Sequence, residues 1–207
     1  MSIKYLLAQP ANLRFQWELD VVLTNIRSLD QNTPIVVLFA KDGRTISEAD
    51  NVAKRFEGRY SGLEVHSYHD SRENRSYQPT VRPYLIWRYL SEFPEAEKDS
   101  YLQIDSDIIF REKIDFSKLP LEGKMCWASD CSGYIDYNYL ITRVNGDQVI
   151  KEFSRILNVS EALIKRTPGG GAQWLMSEPR AALWWHIWQD SQLLFDFLNT
   201  TDSDVQR

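Results

Sequence analysis

Roughly the first hundred residues alternate between short apolar runs and segments with helical periodicity, and this alternation limits the possible folds most strongly. The apolar runs at 3–8, 35–40 and 63–68 are bounded by turn residues, as buried strands are. Between them, residues 15–29 and 47–57 carry apolar side chains at helical spacing. A chain that repeats strand and helix in this way is expected to be an α/β protein, with a mostly parallel sheet and helices on both faces.

Capping and turn residues set the expected boundaries of the other elements. Ser47 is expected to cap the second helix and Gly58 to end it. Ser160 is expected to cap a short helix. The remaining predicted elements, in chain order, are a polar loop at 69–80, a helix at 82–92, an apolar strand at 101–110, strands at 125–129 and 137–142, a helix at 148–157, a glycine-rich loop at 167–171 and a helix from about 181 to 198.

Composition limits the class of protein. With 207 residues, of which 43% are hydrophobic and 26% charged, we expect a single domain, with residues 1–110 forming a nucleotide-binding half and 111–207 an acceptor half. The net charge of −5 excludes a global basic field for nucleic acid. Cys126 and Cys131 have no neighbouring His, so reduced thiols are expected. Because no apolar run reaches the roughly 20 residues of a membrane span, we expect a cytoplasmic protein.

Asp105 and Asp107 interrupt the apolar run at 101–110. Side chains two apart in a strand lie on the same side, so both carboxylates are expected to face the same way. Two such charges favour a cation, and carboxylate oxygens suit Mn²⁺ or Mg²⁺, which completes its shell with substrate phosphates and water. The alternative interpretation is an exposed strand-end pair, because the D-x-D pattern is short.

The order of these features resembles that of GT-A glycosyltransferases, because Y-L-Q-I-D-S-D-I-I-F follows about a hundred residues of alternating strand and helix. The likeness covers residues 3–176 and is strongest to small bacterial and bacteriophage-encoded members. It implies a Rossmann-like sheet and a nucleotide-sugar donor, of which a UDP-sugar is favoured. It places donor contacts on Ala8 and Gln9 and on Ser106, and the metal that bridges the two donor phosphates on Asp105 and Asp107.

Four arginines lie just upstream of the D-x-D pattern, at 72, 75, 82 and 88. Arg82, at the first turn of a helix, is the one expected on the donor diphosphate, and Arg88 is expected to be a solvated helix residue. Arg72 and Arg75 lie in the polar loop at 69–80. Two interpretations of these loop residues stay open. They form an exposed polar loop or a mobile lid that donor binding orders.

The segment Gly169-Gly170-Gly171-Ala172-Gln173 corresponds to a Gly-Gly-x-Gln-type loop that lines the cleft in the similar enzymes. Gly170 and Gly171 would allow close approach of the backbone to a ligand and positive φ angles. Gln173 would hydrogen-bond sugar hydroxyls. A plain loop before a helix is the alternative. No Walker lysine follows, which argues against a phosphate-binding P-loop.

Asp130 follows a predicted strand, at a position where GT-A enzymes often contact the donor sugar or acceptor. If the reaction inverts the anomeric centre, Asp130 or Asp190 is the candidate general base. A retaining reaction needs no such base, and Asp130 as a turn-forming residue before Gly133 is the alternative. His186 lies in an aromatic helix and is left without a role, because a packed imidazole is commoner there.

These features predict a hexosyltransferase, and two other functions stay open. A nucleotidyltransferase would use similar carboxylates, but Gln9-Pro10-Ala11-Asn12 replaces its glycine- and lysine-rich loop. A non-catalytic sugar-nucleotide binding module is the second alternative, and oligomerisation is open. The acceptor is a cell-surface glycan, a protein side chain or a hydroxylated base in DNA. A DNA acceptor would need a basic patch, for which the candidates are Lys151, Arg155, Lys165, Arg166 and Arg180.

Overall fold

The predicted apolar runs at 3–8, 35–40 and 63–68 form three adjacent strands of one six-stranded sheet. The protein is described here by a computed structural model that covers residues 3–41, 46–119, 121, 126–202 and 204–205, with backbone alone at 46–49. The strands are β1 Ile3–Pro10, β2 Ile35–Lys41, β3 Leu63–His69, β4 Ser100–Gln103, β5 Cys126–Asp130 and β6 Gly170–Ser177.

The strand order across the sheet is β3-β2-β1-β4-β6-β5. β1 pairs in parallel with both β2 and β4, so the carboxyl ends of these strands lie at one edge of the sheet. β6 runs antiparallel between β4 and β5. Gln103, the last residue of β4, pairs with Trp174, so Gln173 lies just beyond the end of β4. The predicted mostly parallel sheet is confirmed.

Seven α-helices connect the strands within the described ranges. They are α1 Leu13–Leu29, α2 Ile46–Arg59, α3 Val81–Glu92, α4 Tyr137–Ile141, α5 Gly146–Leu157, α6 Glu161–Arg166 and α7 Ala181–Thr200, with short 3₁₀ turns at Gln78–Thr80, Pro94–Lys98 and Phe116–Lys118. Asn12 caps α1 by accepting a hydrogen bond from the Phe15 amide, and Ser160 caps α6 as predicted. None of the described helices is long and apolar enough to cross a membrane.

Both faces of the sheet are covered by helices, as predicted. On one face Leu19 and Leu23 of α1 and Phe56 of α2 pack against the strands. On the other, Tyr84 of α3 and Trp184 of α7 do so. Burying a leucine or phenylalanine side chain contributes about 1.5–3 kcal/mol relative to exposure, so both layers stabilise the fold. A third, smaller cluster lies between α4, α5 and α7.

Four predicted elements differ from the structure, and the first is the strand predicted at 101–110, which ends at Gln103 as β4. The predicted strand at 137–142 is the helix α4, which Asp136 caps by accepting a hydrogen bond from the Tyr139 amide. The predicted glycine-rich loop at 167–171 ends early, because the strand β6 begins at Gly170. Gly58 does not end α2 but lies inside it. Met125, the first residue of the predicted strand at 125–129, lies outside the described residues. Ser47, the predicted cap of α2, has a helical backbone, and its side chain lies outside the described residues.

A buried ion pair anchors the loop at 69–80. Arg72 makes two hydrogen bonds of 2.9 Å to the Asp70 carboxylate and a third, of 2.6 Å, to the Thr80 hydroxyl. The Arg72 side chain is 1% exposed. Burial raises the pKa of Asp70, but the hydrogen bonds and charge of Arg72 outweigh it, so the pKa lies below its ordinary value of 3.8. The prediction of an exposed Arg72 is wrong, because its side chain is buried and holds the loop, whereas the lid interpretation stays a prediction.

Candidate active site

The carboxyl ends of β1 and β4 open onto a cleft of about 300 Å³. This is the edge where ligands bind in open parallel sheets, because the connecting loops diverge there. The residues that line the cleft are Ala8, Gln9, Pro10, Arg14, Phe15, Glu18, Gln78, Pro79, Val81, Arg82, Ile104, Asp105, Ser106 and Asp107. Six of the predicted site residues are therefore brought together: Ala8, Gln9, Arg82, Asp105, Ser106 and Asp107.

Asp105 and Asp107 lie beyond β4, not within it. The strand ends at Gln103 and the chain turns at Ser106, so the strand periodicity from which we predicted their common orientation does not apply. The turn nevertheless brings both carboxylates to the cleft. Asp105 is partly buried and Asp107 is exposed.

Two side chains hold the Asp105 carboxylate. Arg82 donates from Nη2 to Asp105 Oδ1, and Gln173 donates from Nε2 to Oδ2 at 3.3 Å. Arg82 Nη1 also reaches the backbone carbonyl of Ala172 at 3.4 Å. Elements far apart in sequence, namely α3, the turn after β4 and the strand β6, therefore meet at one carboxylate.

The Arg82 guanidinium has one N–H group that is not used in a hydrogen bond to any described residue. Its Nε is buried and has no partner among the described residues. Burial lowers the pKa of Arg82 from its ordinary value of 12.5, against the opposing charge of Asp107, and an arginine remains charged at neutral pH. A partly buried cation with an unused N–H suits a ligand with several oxygen acceptors, such as a diphosphate.

The first turns of α1 form a wall of the cleft that the sequence analysis missed. Arg14 pairs with Glu18 at 2.8 Å, and Ser106 donates to the other oxygen of Glu18 at 3.0 Å. Glu18 is buried, so Ser106 is held by the protein itself. The sequence could have predicted this wall, because a helix that begins directly after β1 must place its first turns at the edge where β1 ends.

The charges that line the cleft fit a divalent cation. Glu18, Asp105 and Asp107 are opposed by only Arg14 and Arg82, which leaves one net negative charge. A diphosphate would be repelled from such a cleft unless a cation bound with it. In the described part of the chain no three metal-ligating side chains converge. A cation would thus take its protein ligands from Asp105 and Asp107 and the rest of its shell from phosphate and water, as Mg²⁺ commonly does.

Ala8 and Gln9 form the floor of the cleft at the end of β1. Both are buried, with 7% and 4% exposure. The Gln9 amide donates from Nε2 to the carbonyl of Phe15 at 3.0 Å, which fixes the start of α1 against the strand. Gln9 therefore shapes the cleft, and its amide oxygen remains as an acceptor.

The loop before α3 forms the opposite wall through Gln78 and Pro79. We did not predict these residues, because a polar loop gives no signal of where its tip lies. Arg72 fixes this segment by donating to the Tyr77 carbonyl at 3.2 Å. Arg75 is exposed and bonds only weakly, to the carbonyl of Arg72 at 3.4 Å.

The three glycines at 169–171 pack against the chain around β5. A methyl group at Gly171 would overlap Ser129 Oγ and lie 2.7 Å from Cys131 Sγ. One at Gly170 would lie 3.1 Å from the Ala128 side chain. Neither glycine has a positive φ angle or lines the cleft, so the predicted conformational reason is wrong. Cys126 and Cys131 are free thiols, as predicted.

Asp130 lies outside the cleft, at the end of β5 opposite Gly170. Its carboxylate accepts a hydrogen bond from the Ser132 amide at 2.9 Å, the turn geometry named as the alternative. Hydrogen bonds from Ser132 hold the pKa of Asp130 below its ordinary value of 3.8. His186 is exposed on α7 and packs edge-on against Trp185, and Asp190 lies one turn further along that helix.

No protein-family model matches the chain, and no curated protein sequence matches it. Solved structures match at high probability. One is the galactosyltransferase LgtC in complex with donor and acceptor sugar analogues, with a TM-score of 0.55 and 14% identity. Another is an active-site mutant of LgtC, with a TM-score of 0.54 and 11% identity. Each match covers 100% of this chain and 66% of the other.

This likeness is one of fold. The chain has the Rossmann-like GT-A architecture, with a mostly parallel six-stranded sheet between helices, which confirms the predicted fold class. It spans just under two thirds of the length of the LgtC chains.

Proposed function

We propose that this protein is a metal-dependent glycosyltransferase that transfers a hexose from a nucleotide-diphosphate sugar to an acceptor hydroxyl. The observation that carries the proposal is the meeting of Arg82, Asp105 and Gln173 beside the exposed Asp107, at the strand edge where the GT-A fold binds ligands. The likeness to LgtC, itself a galactosyltransferase, supports it at the level of fold.

Asp105 and Asp107 would hold Mn²⁺ or Mg²⁺, which when bound neutralises charge on the donor diphosphate. Arg82 would turn its guanidinium from Asp105 to the phosphate oxygens and use its free Nε there. Ala8 and Gln9 would contact the nucleotide of the donor, for which we favour UDP. Gln173 would then be free to donate to a sugar hydroxyl instead of to Asp105.

In the reaction, the bond between the anomeric carbon and the donor phosphate oxygen breaks, and the acceptor oxygen bonds to that carbon. The developing negative charge goes to the leaving nucleoside diphosphate, where Arg82 stabilises it. The acceptor proton needs a base if the reaction inverts the anomeric centre, and Asp130 is our candidate. Hydrogen bonds from Ser132 lower its pKa, so Asp130 is ionised at neutral pH but is a weaker base than an ordinary aspartate.

The proposal is tested by thermal-shift measurements with UDP-, GDP-, ADP- and TDP-sugars, each with and without Mn²⁺. A ligand that binds only the native state raises the melting temperature. At a ligand concentration a hundredfold above Kd, the apparent free energy of unfolding increases by about 2.7 kcal/mol. We expect a metal-dependent rise with one nucleotide. No rise with any donor would refute the proposal, and a rise without transfer or hydrolysis would indicate a binding module.

A further inference from the structure

A second cavity, of about 360 Å³, lies outside the donor cleft, between α4, α5 and α7. We propose that this cavity, here called the aromatic groove, binds a neutral hexopyranose of the acceptor. The inference rests on the proposed function and names its acceptor class.

The aromatic groove presents flat rings to its contents. Tyr77, Tyr134, Tyr139, Phe153 and Phe195 line it, and Tyr134 is 54% exposed. Aromatic faces bind the apolar C–H faces of sugar rings, and tyrosine adds a hydroxyl that can bond sugar hydroxyls. Within the described part of the chain, neither the Tyr77 nor the Tyr134 hydroxyl has a hydrogen-bond partner, so both remain for a ligand.

The charge of the groove argues for a neutral occupant. None of the described residues that line it carries a formal charge at neutral pH. A polyanion such as DNA is bound chiefly by Lys and Arg contacts to phosphate. The described lining residues include neither, and the nearby Arg143 is stacked on the Tyr139 ring at 4.1 Å. Of the basic residues considered for DNA, Arg155 pairs with Glu152 at 2.5 Å and Arg180 with Glu97 at 2.9 Å, so these two are already compensated.

The groove and the donor cleft adjoin along the loop before α3. Tyr77 lines the groove, and the next two residues, Gln78 and Pro79, line the cleft. On the other side of the groove, backbone hydrogen bonds join the turn that carries Tyr134 to the residue before β6. The Cys131 amide donates to the Gly169 carbonyl at 2.9 Å, and the Cys131 carbonyl accepts from the Tyr134 amide at 3.0 Å. A sugar in the groove would therefore lie beside the donor site.

The wall shared by the two cavities is preformed. Tyr77 stacks on Phe195 of α7 with ring centres 4.4 Å apart and planes 9° apart. Asn74 donates to Asp196, also on α7, at 3.1 Å. A rigid aromatic platform loses little conformational freedom when a ligand binds, which favours binding.

Saturation-transfer NMR tests the aromatic groove without requiring turnover. The probes are methyl β-glucopyranoside, methyl β-galactopyranoside, lactose and maltose, with a short DNA duplex as the anionic competitor. We expect saturation of the ring C–H protons of at least one sugar, a reduction of at least about fivefold in Tyr134→Ala and in Phe195→Ala, and no competition by DNA. Trp17→Ala, which removes an aromatic side chain that is 69% exposed elsewhere, should leave the signal unchanged.

Three results would overturn the inference: no saturation transfer to any of these sugars, an unchanged signal in Tyr134→Ala, or displacement of the sugar by DNA. Tyr134 is exposed, so its replacement should not unfold the protein, which circular dichroism would check. Separate thermal shifts with UDP and Mn²⁺ distinguish the two proposals. Sugar binding without a UDP shift would refute the donor site alone, and a UDP shift without sugar binding would refute the groove alone.

Discussion

Arg82 donates a hydrogen bond to Asp105, so the residue proposed to bind the donor phosphate is paired with a proposed metal ligand. The same guanidinium reaches the Ala172 carbonyl, next to Gln173. The planar guanidinium of arginine can donate to both groups at once, whereas the ammonium of lysine is a single point charge.

Arg82→Lys is therefore expected to weaken binding of UDP in the presence of Mn²⁺ by roughly tenfold to a hundredfold, the equivalent of one charged hydrogen bond. Isothermal titration calorimetry measures this. Arg59→Lys is the matched control, because Arg59 pairs with Asp20 on an exposed surface at 2.7 Å. Equal affinities in wild type and Arg82→Lys would remove Arg82 from the donor site.

Asp107→Asn should reduce turnover by about a hundredfold or more while the fold is retained, because the amide keeps the shape but not the charge that attracts a cation. Donor hydrolysis and the Mn²⁺-dependent thermal shift are the two measurements. Asp147→Asn, in the first turn of α5, controls for loss of an exposed carboxylate. A fully active Asp107→Asn enzyme would contradict the metal assignment.

Arg72→Ala should destabilise the protein by about 3–5 kcal/mol, because it leaves the buried Asp70 carboxylate without its cation. Urea denaturation measures the free energy of unfolding. The double variant Asp70→Asn/Arg72→Ala should recover part of that loss. Arg75→Ala, at an exposed position of the same loop, should change stability by no more than about 0.5 kcal/mol. A loss that small in Arg72→Ala would mean that the ion pair does not anchor the loop.

Gly171→Ala should cost about 1–3 kcal/mol of unfolding free energy, because its new methyl group would overlap Ser129 Oγ. Ser129→Ala in the same chain should restore part of the stability. Gly58→Ala is the contrasting control, since no heavy atom lies within 4 Å of the added methyl group and the residue is helical. That control should gain about 0.5–1 kcal/mol. The prediction fails if both alanines behave alike.

His66 should make stability depend on pH. Burial lowers the pKa of His66 below its ordinary value of 6.5, and the attraction of Glu64 and Glu92 only partly opposes this. The unfolded chain therefore binds a proton before the native protein does, so the free energy of unfolding should fall as pH drops below about 6.5 and level off once native His66 is protonated. Denaturation curves between pH 7.5 and 5, roughly the range in which histidine titrates, should show this fall in wild type. His66→Gln should lack it, and an identical fall in that variant would exclude His66.

Sequence alone could predict the parallel part of the fold. β2 is buried on both faces, and so is β1 from Tyr5 to Gln9, so the runs at 35–40 and 3–8 are apolar, interrupted only by Lys4. The helices that follow these strands keep a regular period. β6 gave no such signal, because it opens on two glycines, which are poor strand formers. Tyr137–Ile141 is rich in strand-forming aromatic residues, and only the Asp136 cap indicates a helix.

The candidate site was predictable where it depends on strand order and not where it depends on side-chain partners. Asp105, Asp107 and Arg82 follow from their positions near strand and helix ends. The burial of Arg72 could not be predicted, because it depends on Thr80 and on the path of the intervening loop. The groove around Tyr134 combines segments whose distance in space no periodicity encodes.

The position of β6 has a consequence for synthesis of the protein. β5 pairs only with β6 among the described strands, yet β6 begins some 40 residues later in the chain. At about 5–20 residues per second, a ribosome would take roughly 2–8 s to make the intervening segment. Through that interval the nascent β5, with its exposed Trp127, lacks its neighbour, whereas β1 to β4 can already assemble. Newly made chains would therefore be most open to chaperone binding, or to aggregation, at this edge.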